Sequence, residues 1–173
     1  MQPGEHLTCV GCHEPRTGAP PVVRRIAALG REPSEIAPGP DGSNPFSYPL
    51  LVQPVLDRAC VKCHSGETPA GKVHLTGEPE GHYTVSYNAL APRVPISDQG
   101  SLDPLSTPGK YGALGSGLTP MLLAGHHDVK LTDAEIERLV TWMDANALFY
   151  GTFKPDDQAR QQRGERIVGA DLY

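Results

Sequence analysis

Apolar residues recur at helical spacing in two stretches of this chain. In the first, Val52, Val55, Leu56 and Ala59 fall one turn apart. This predicts a helix running from about residue 49 into residue 60, with Pro54 in a first turn or at a kink. In the second, Ile136, Leu139, Val140 and Met143 stand at i, i+3, i+4 and i+7. Just before them, Thr132-Asp133-Ala134-Glu135 reads as a capping box, so a helix is expected from about 133 to 147. Weaker signals predict a short helix over 22–29, stopped by Gly30, and a helical turn over 118–123 that ends at Gly125. Residues 65–118 are mostly irregular. Within them 72–76 and 83–87 alternate weakly, as short strands or extended loops would. Pro33, Pro38, Pro40 and Pro45, with Gly39 and Gly42, mark 32–46 as a linker or surface loop. From Phe149 onward the chain is polar and reads as an extended arm or a frayed helix. The pattern as a whole is mainly α with extensive irregular loops.

Composition changes this picture in one respect. Gly 19 and Pro 18 exceed a fifth of the 173 residues, against roughly an eighth in average usage. Aromatic content is only 6%. A core built from such a chain is thin for its length, and a large apolar prosthetic group would repair the deficit. The net charge is −5, and no basic stripe of the kind nucleic-acid binding needs is present. No apolar run approaches the length of a membrane span. The start, Met1-Gln2-Pro3-Gly4-Glu5, is not a signal peptide.

The chemistry lies in a pentapeptide that occurs twice, Cys9-Val10-Gly11-Cys12-His13 and Cys60-Val61-Lys62-Cys63-His64. Together the two copies use all four cysteines, and no other internal repeat is found. Cys-x-x-Cys-His reads as covalent attachment of c-type haem, with two thioether links to the porphyrin and the histidine beneath the iron. A four-thiolate zinc site and a thiol–disulfide pair are the competing readings. Histidine is only 7 of 173 residues, so its presence after both pairs favours haem. The wide gap from Cys12 to Cys60 also argues against a zinc ribbon. The expected cofactors are therefore two haem c groups with their iron, held by Cys9, Cys12, Cys60 and Cys63, with His13 and His64 as proximal ligands.

Candidates for the opposite face of each iron follow. His126 and His127 are the best placed, on the loop before the last helix. Their side chains diverge, so one can serve the second iron while the other faces the first haem or a propionate. His74 and His82 are weaker candidates for the first haem, and His6 weaker still. Met121 offers a thioether, but Pro120-Met121-Leu122-Leu123 reads as core. Trp142 and Met143 read as core or haem wall. Tyr48, Tyr83 and Tyr87 read as partly buried. Arg24, Arg25 and Arg93 suit carboxylate pairing, with solvated surface charge as the plainer reading.

Residues 50–147 resemble a class I-type cytochrome c. A helix leads into the haem motif (Val52 to His64), and a C-terminal helix with an aromatic residue follows (Leu131 to Ala147, with Trp142). The resemblance implies cytochrome c-like helices packed around the haem, and a Met on the loop before the last helix as sixth ligand. Here that loop carries Gly125-His126-His127-Asp128, which favours two histidines. The whole chain also resembles the C-terminal haem region of proteins similar to the hydrazine synthase alpha subunit. That resemblance lies in Gln2-Pro3-Gly4-Glu5, Cys9 to Glu14, Val52 to Asp57 and Ala124 to Leu131. In that family one haem is catalytic and its iron is taken by a Tyr four residues after the motif His. The matching position here is Thr17, so the catalytic feature is not carried over. The second haem there is bis-histidine and passes electrons.

The expected organisation is a first haem-binding segment with linker over 1–46, a cytochrome c-like second haem domain over 47–150, and a C-terminal arm over 151–173. The expected function is electron transfer through two bis-histidine haems to a redox partner protein, with no nucleic acid and no membrane span. A carrier is expected ahead of an enzyme, because a six-coordinate iron has no place for substrate, and the question of an enzyme stays open. The alternative is an open first iron, as in a hydrazine synthase-like or peroxidase-like module, or a sensing or structural haem. Haem attachment of this type implies a periplasmic or otherwise extracytoplasmic location. With a motif at Cys9 and no leader ahead of it, a mature form or a domain of a larger protein is expected.

Overall fold

The computed structural model describes residues 30–35, 37–96 and 107–169. The chain divides into two compact units, Met1–Ala37 and Pro38–Tyr173. In the first, the described residues are a short exposed stretch in which Arg31 donates to Ser34 Oγ at 2.6 Å. The first motif (Cys9, Cys12, His13), the helix expected over 22–29, and His6, Glu14, Thr17, Arg24 and Arg25 lie outside the described residues.

The second unit is mainly helical with little strand. Helix α1 spans Tyr48–Leu51 and α2 spans Gln53–Ala59. One helix was expected here. Pro54 divides it, because proline has no N–H for the turn before it and its ring crowds the carbonyl four residues back. Each short helix instead starts on a proline, Pro49 or Pro54, in its first turn. The apolar face of the pair buries Tyr48, Val52, Val55 and Leu56. A two-stranded antiparallel hairpin follows, β1 Pro79–Glu80 and β2 Tyr83–Thr84.

The strand or loop expected over 83–87 stops at Thr84. Thr84 Oγ1 caps helix α3, Val85–Leu90, by accepting from Tyr87 N–H at 3.3 Å. The helical turn carries Ser86 into a buried polar network. Tyr48 Oη donates to Ser86 Oγ at 3.2 Å, and Ser86 Oγ donates to Gln53 Oε1 at 2.5 Å. Gln53 Nε2 in turn donates to the Leu75 carbonyl at 3.1 Å. Of the two forms expected over 72–76, strand or extended loop, the structure has the loop. Its backbone turns back onto the second motif.

Helices α4 (Gly112–Gly115) and α5 (Leu118–Leu123) precede α6, Asp133–Asp144. The capping box is present: Thr132 N–H donates to Glu135 Oε2 at 2.8 Å, and Glu135 N–H to Thr132 Oγ1 at 3.3 Å. Helix α6 ends three residues earlier than its pattern suggested. Asn146 and Ala147 take left-handed backbone angles, φ 57° and 52°. That reversal lets Ala147 and Phe149 enter the core beside Trp142, Tyr48 and Met143. The last segment is not a loose arm through its described length. Helix α7, Pro155–Gln162, carries the fully buried Gln161. Gln161 accepts from Gly151 N–H at 3.0 Å and donates to the carbonyls of Pro45 and Phe46 at 3.3 and 3.1 Å. One buried polar residue, invisible to an apolar pattern, ties α7 to the strand of chain that enters α1.

Candidate functional site

The second motif continues α2 as irregular turns. Cys60 N–H donates to Leu56 O at 2.7 Å, and both Cys63 and His64 N–H donate to Cys60 O, at 3.1 and 3.0 Å. The loop after the motif folds back on it. Ala70 N–H reaches Cys63 O and Leu75 N–H reaches His64 O, each at 2.9 Å. The fold-back needs left-handed angles at Gly71 and Lys72, φ 60° and 57°, which the glycine adopts without penalty. It also brings the Val73 carbonyl to 3.2 Å from His64 Nδ1. With Nδ1–H donating there, Nε2 is left with its lone pair free for a metal, the usual way a ligating histidine is oriented.

Cys60, Cys63 and His64 border a cavity of about 430 Å³, within the range of small-molecule and cofactor sites. Its walls are apolar. Leu56 and Ala59 of α2 stand on one side, Leu118 and Leu122 of α5 on another, and Leu139, Trp142 and Met143 of α6 on a third. His126 and His127 enter from a tight turn over His126–Asp128, between α5 and α6. Their polar company in the lining is Arg93, just after α3, and among the described residues no Asp or Glu side chain lines the cavity. The His64 and His126 ring centres are 6.2 Å apart with planes 20° from parallel.

The elements that carry these groups are clamped together. Arg58, at the end of α2, donates to Glu135 Oε1 and Oε2 at 2.5 and 2.6 Å and to the Lys130 carbonyl at 3.2 Å. This fork joins the helix before the motif to the first turn of α6, and the hydrogen bond from Arg58 holds the Glu135 carboxyl down at about 2. Burial pushes the Cys60 thiol up, against a smaller downward pull from Arg58. Cys60 is therefore a shielded thiol, while Cys63 is exposed. Burial likewise raises the Tyr48 and Tyr87 hydroxyls, in keeping with core positions rather than ligands.

The sites expected from sequence thus separate. Cys60, Cys63, His64, His126 and His127 converge on one cavity. Met121 also borders it, 38% exposed at the rim. His74 and His82 are exposed and are not among its lining residues; the His82 carbonyl accepts from Tyr150 Oη at 2.6 Å. Among the described residues no cluster of three or more His, Cys, Asp or Glu side chains could hold a metal ion. Sequence reasoning did not find the Val73 carbonyl or the Arg58 clamp. A backbone acceptor has no sequence signal, and Arg58 pairs across 77 positions. No protein-family model matches this chain, and no curated protein and no solved structure matches it.

Proposed function

We propose that the second unit holds a haem c, linked through Cys60 and Cys63 with its iron between His64 and His126, and that the protein transfers electrons. The observation that carries this is the spacing of the two imidazoles. A ligating nitrogen sits about 2 Å from the metal with its ring centre about 1 Å behind it, so two imidazoles trans on one iron have centres about 6 Å apart. His64 and His126 stand at 6.2 Å across the mouth of an apolar cavity that the two thiols border. A porphyrin supplies four of the six iron ligands, so two from the chain suffice. The body of the cavity suits an apolar ring, and Arg93, which borders it and also donates to the Ala89 carbonyl, carries the charge that suits its carboxylates.

When bound, the haem supplies a reversible one-electron couple. The chain sets its conditions. His64, oriented by Val73 O, and His126 would both bind the iron, which would leave no place for substrate there. Leu139, Trp142 and Met143, which line the cavity, would keep water from the haem, and two imidazoles would hold its potential below that of a His/Met pair. By the same motif, Cys9, Cys12 and His13 would bind a second haem, and the attachment chemistry would place the protein outside the cytoplasm. No helix among the described residues is long and apolar enough to cross a membrane. The test is the optical spectrum of the matured protein, oxidised and reduced, with and without CO. Reversible c-type bands for two haems per chain, unmoved by CO, are expected. A CO shift on the haem at Cys60 and Cys63 would contradict carriage by a closed iron, and absent haem bands from a maturation-competent host would sink the reading.

A further inference from the structure

We infer that the sixth position of this site is served by two neighbouring imidazoles, His126 and His127, that exchange on the same metal. The inference rests on the haem reading above. The two sides of the cavity are built differently. His64 is fixed from three directions: its N–H donates to Cys60 O at 3.0 Å, its carbonyl accepts from Leu75 N–H at 2.9 Å, and its ring Nδ1 lies 3.2 Å from Val73 O. On the opposite side both His126 and His127 border the cavity, with ring centres 4.4 Å apart at 72°. Neither ring has a hydrogen-bond partner among the described residues. A ligand without such a partner has neither its tautomer nor its orientation set.

The turn itself is poised to rearrange. His127 sits in the left-handed region at φ 46° and ψ 47°, followed by Asp128 at φ 63° and preceded by Gly125 at φ 81°. Glycine takes this region freely, whereas a side chain with a β-carbon does so against a steric penalty. The backbone bond from Val129 N–H to His126 O, 3.0 Å, closes the turn. The strain therefore lies in the arrangement that holds the His126 ring centre 6.2 Å from that of His64. Relaxing His127 turns the backbone and carries its ring inward as His126 leaves. One metal–nitrogen bond breaks and an equivalent one forms, with no net change of electrons or protons. An ensemble of two such arrangements needs only comparable energies.

The test uses the full chain with haem attached, carrying His126→Ala, His127→Ala or both. The readouts are the EPR spectrum of the oxidised protein and CO uptake by the reduced protein, each taken as the increment over the unaltered chain so that the first motif cancels. Each single variant is expected to keep a low-spin bis-imidazole signal with no added CO uptake. The double variant is expected to take up one further CO per chain. Full CO uptake by His126→Ala alone would overturn the inference. So would no uptake by the double variant, or a His/Met signature in a single variant, which would put Met121 in the position. His126→Gln and His127→Gln, which keep a polar side chain on the turn, must repeat the pattern. Loss of the c-type bands would instead overturn the haem reading beneath it.

Discussion

Producing the chain without haem should remove most of its cooperative stability. If the haem proposed above fills it, the perturbation empties a cavity of about 430 Å³ lined by residues of α2, α5 and α6. Buried volume left empty costs about 24 cal/mol per Å³, so a closed void of this size would cost about 10 kcal/mol. The mouth here is open, with His127 exposed and Met121 38% exposed. Water can occupy the polar end near the histidines, and counting half the volume gives about 5 kcal/mol. A domain of this size has only about 5–15 kcal/mol in total. The haem-free chain is therefore expected at the edge of folding. It should keep much of its far-UV circular dichroism and lose the near-UV signal of Trp142, a residue that is 1% exposed and lines the cavity. The assay is urea unfolding of haem-free and loaded chains side by side, followed at both wavelengths. A haem-free chain that unfolds in one sharp transition within about 1 kcal/mol of the loaded one would refute the reasoning. The cavity would then be a space the core tolerates rather than one it is built around.

Three further outcomes follow from particular contacts. Glu135 has its pKa lowered from 4.5 to about 2 by Arg58, so the Arg58 clamp stabilises fully above the unfolded value and is lost as pH falls from about 4.5 towards about 2. Arg58 is half exposed, so Arg58→Ala should cost no more than about 1 kcal/mol at pH 7; a urea-midpoint difference from the unaltered chain that persists unchanged at pH 2 would contradict this. Gln161→Leu leaves the Gly151 N–H and the Pro45 and Phe46 carbonyls without their partner. It should cost about 3 kcal/mol in urea unfolding while leaving the spectrum of the loaded site unchanged. Gly112→Ala should destabilise by about 2 kcal/mol, because φ is +62° there and a β-carbon would meet Asp144 Oδ1; a neutral result would show that α4 can shift away from α6.

The two helical patterns led to the right elements because their apolar spacing is strong. Val52, Val55 and Leu56 are buried on α1–α2, and Leu139 and Met143 on α6, behind a capping box that local chemistry alone specifies. The residues that border the cavity come from two short stretches of sequence, Cys60 to His64 and the neighbours His126 and His127, which a motif and a histidine pair mark. What could not be read depended on distant partners. Ser86 is helical because Thr84 caps the turn and because Tyr48 and Gln53 offer its hydroxyl partners 38 and 33 positions away. The polar tail hid α7 because its anchor is a glutamine rather than an apolar stripe. His74 lies on the loop that folds back through left-handed turns at Gly71 and Lys72, and His82 in the turn of the β1–β2 hairpin, so neither is among the residues lining the cavity.

The central claim is that a haem sits covalently between α2 and the turn before α6. Peptide-mapped mass spectrometry of the matured chain tests it most directly. The account predicts a haem mass on the peptide that contains Cys60 and Cys63, with both thiols unavailable to alkylation. Free, alkylatable Cys60 and Cys63 in protein from a host that attaches haem would contradict it.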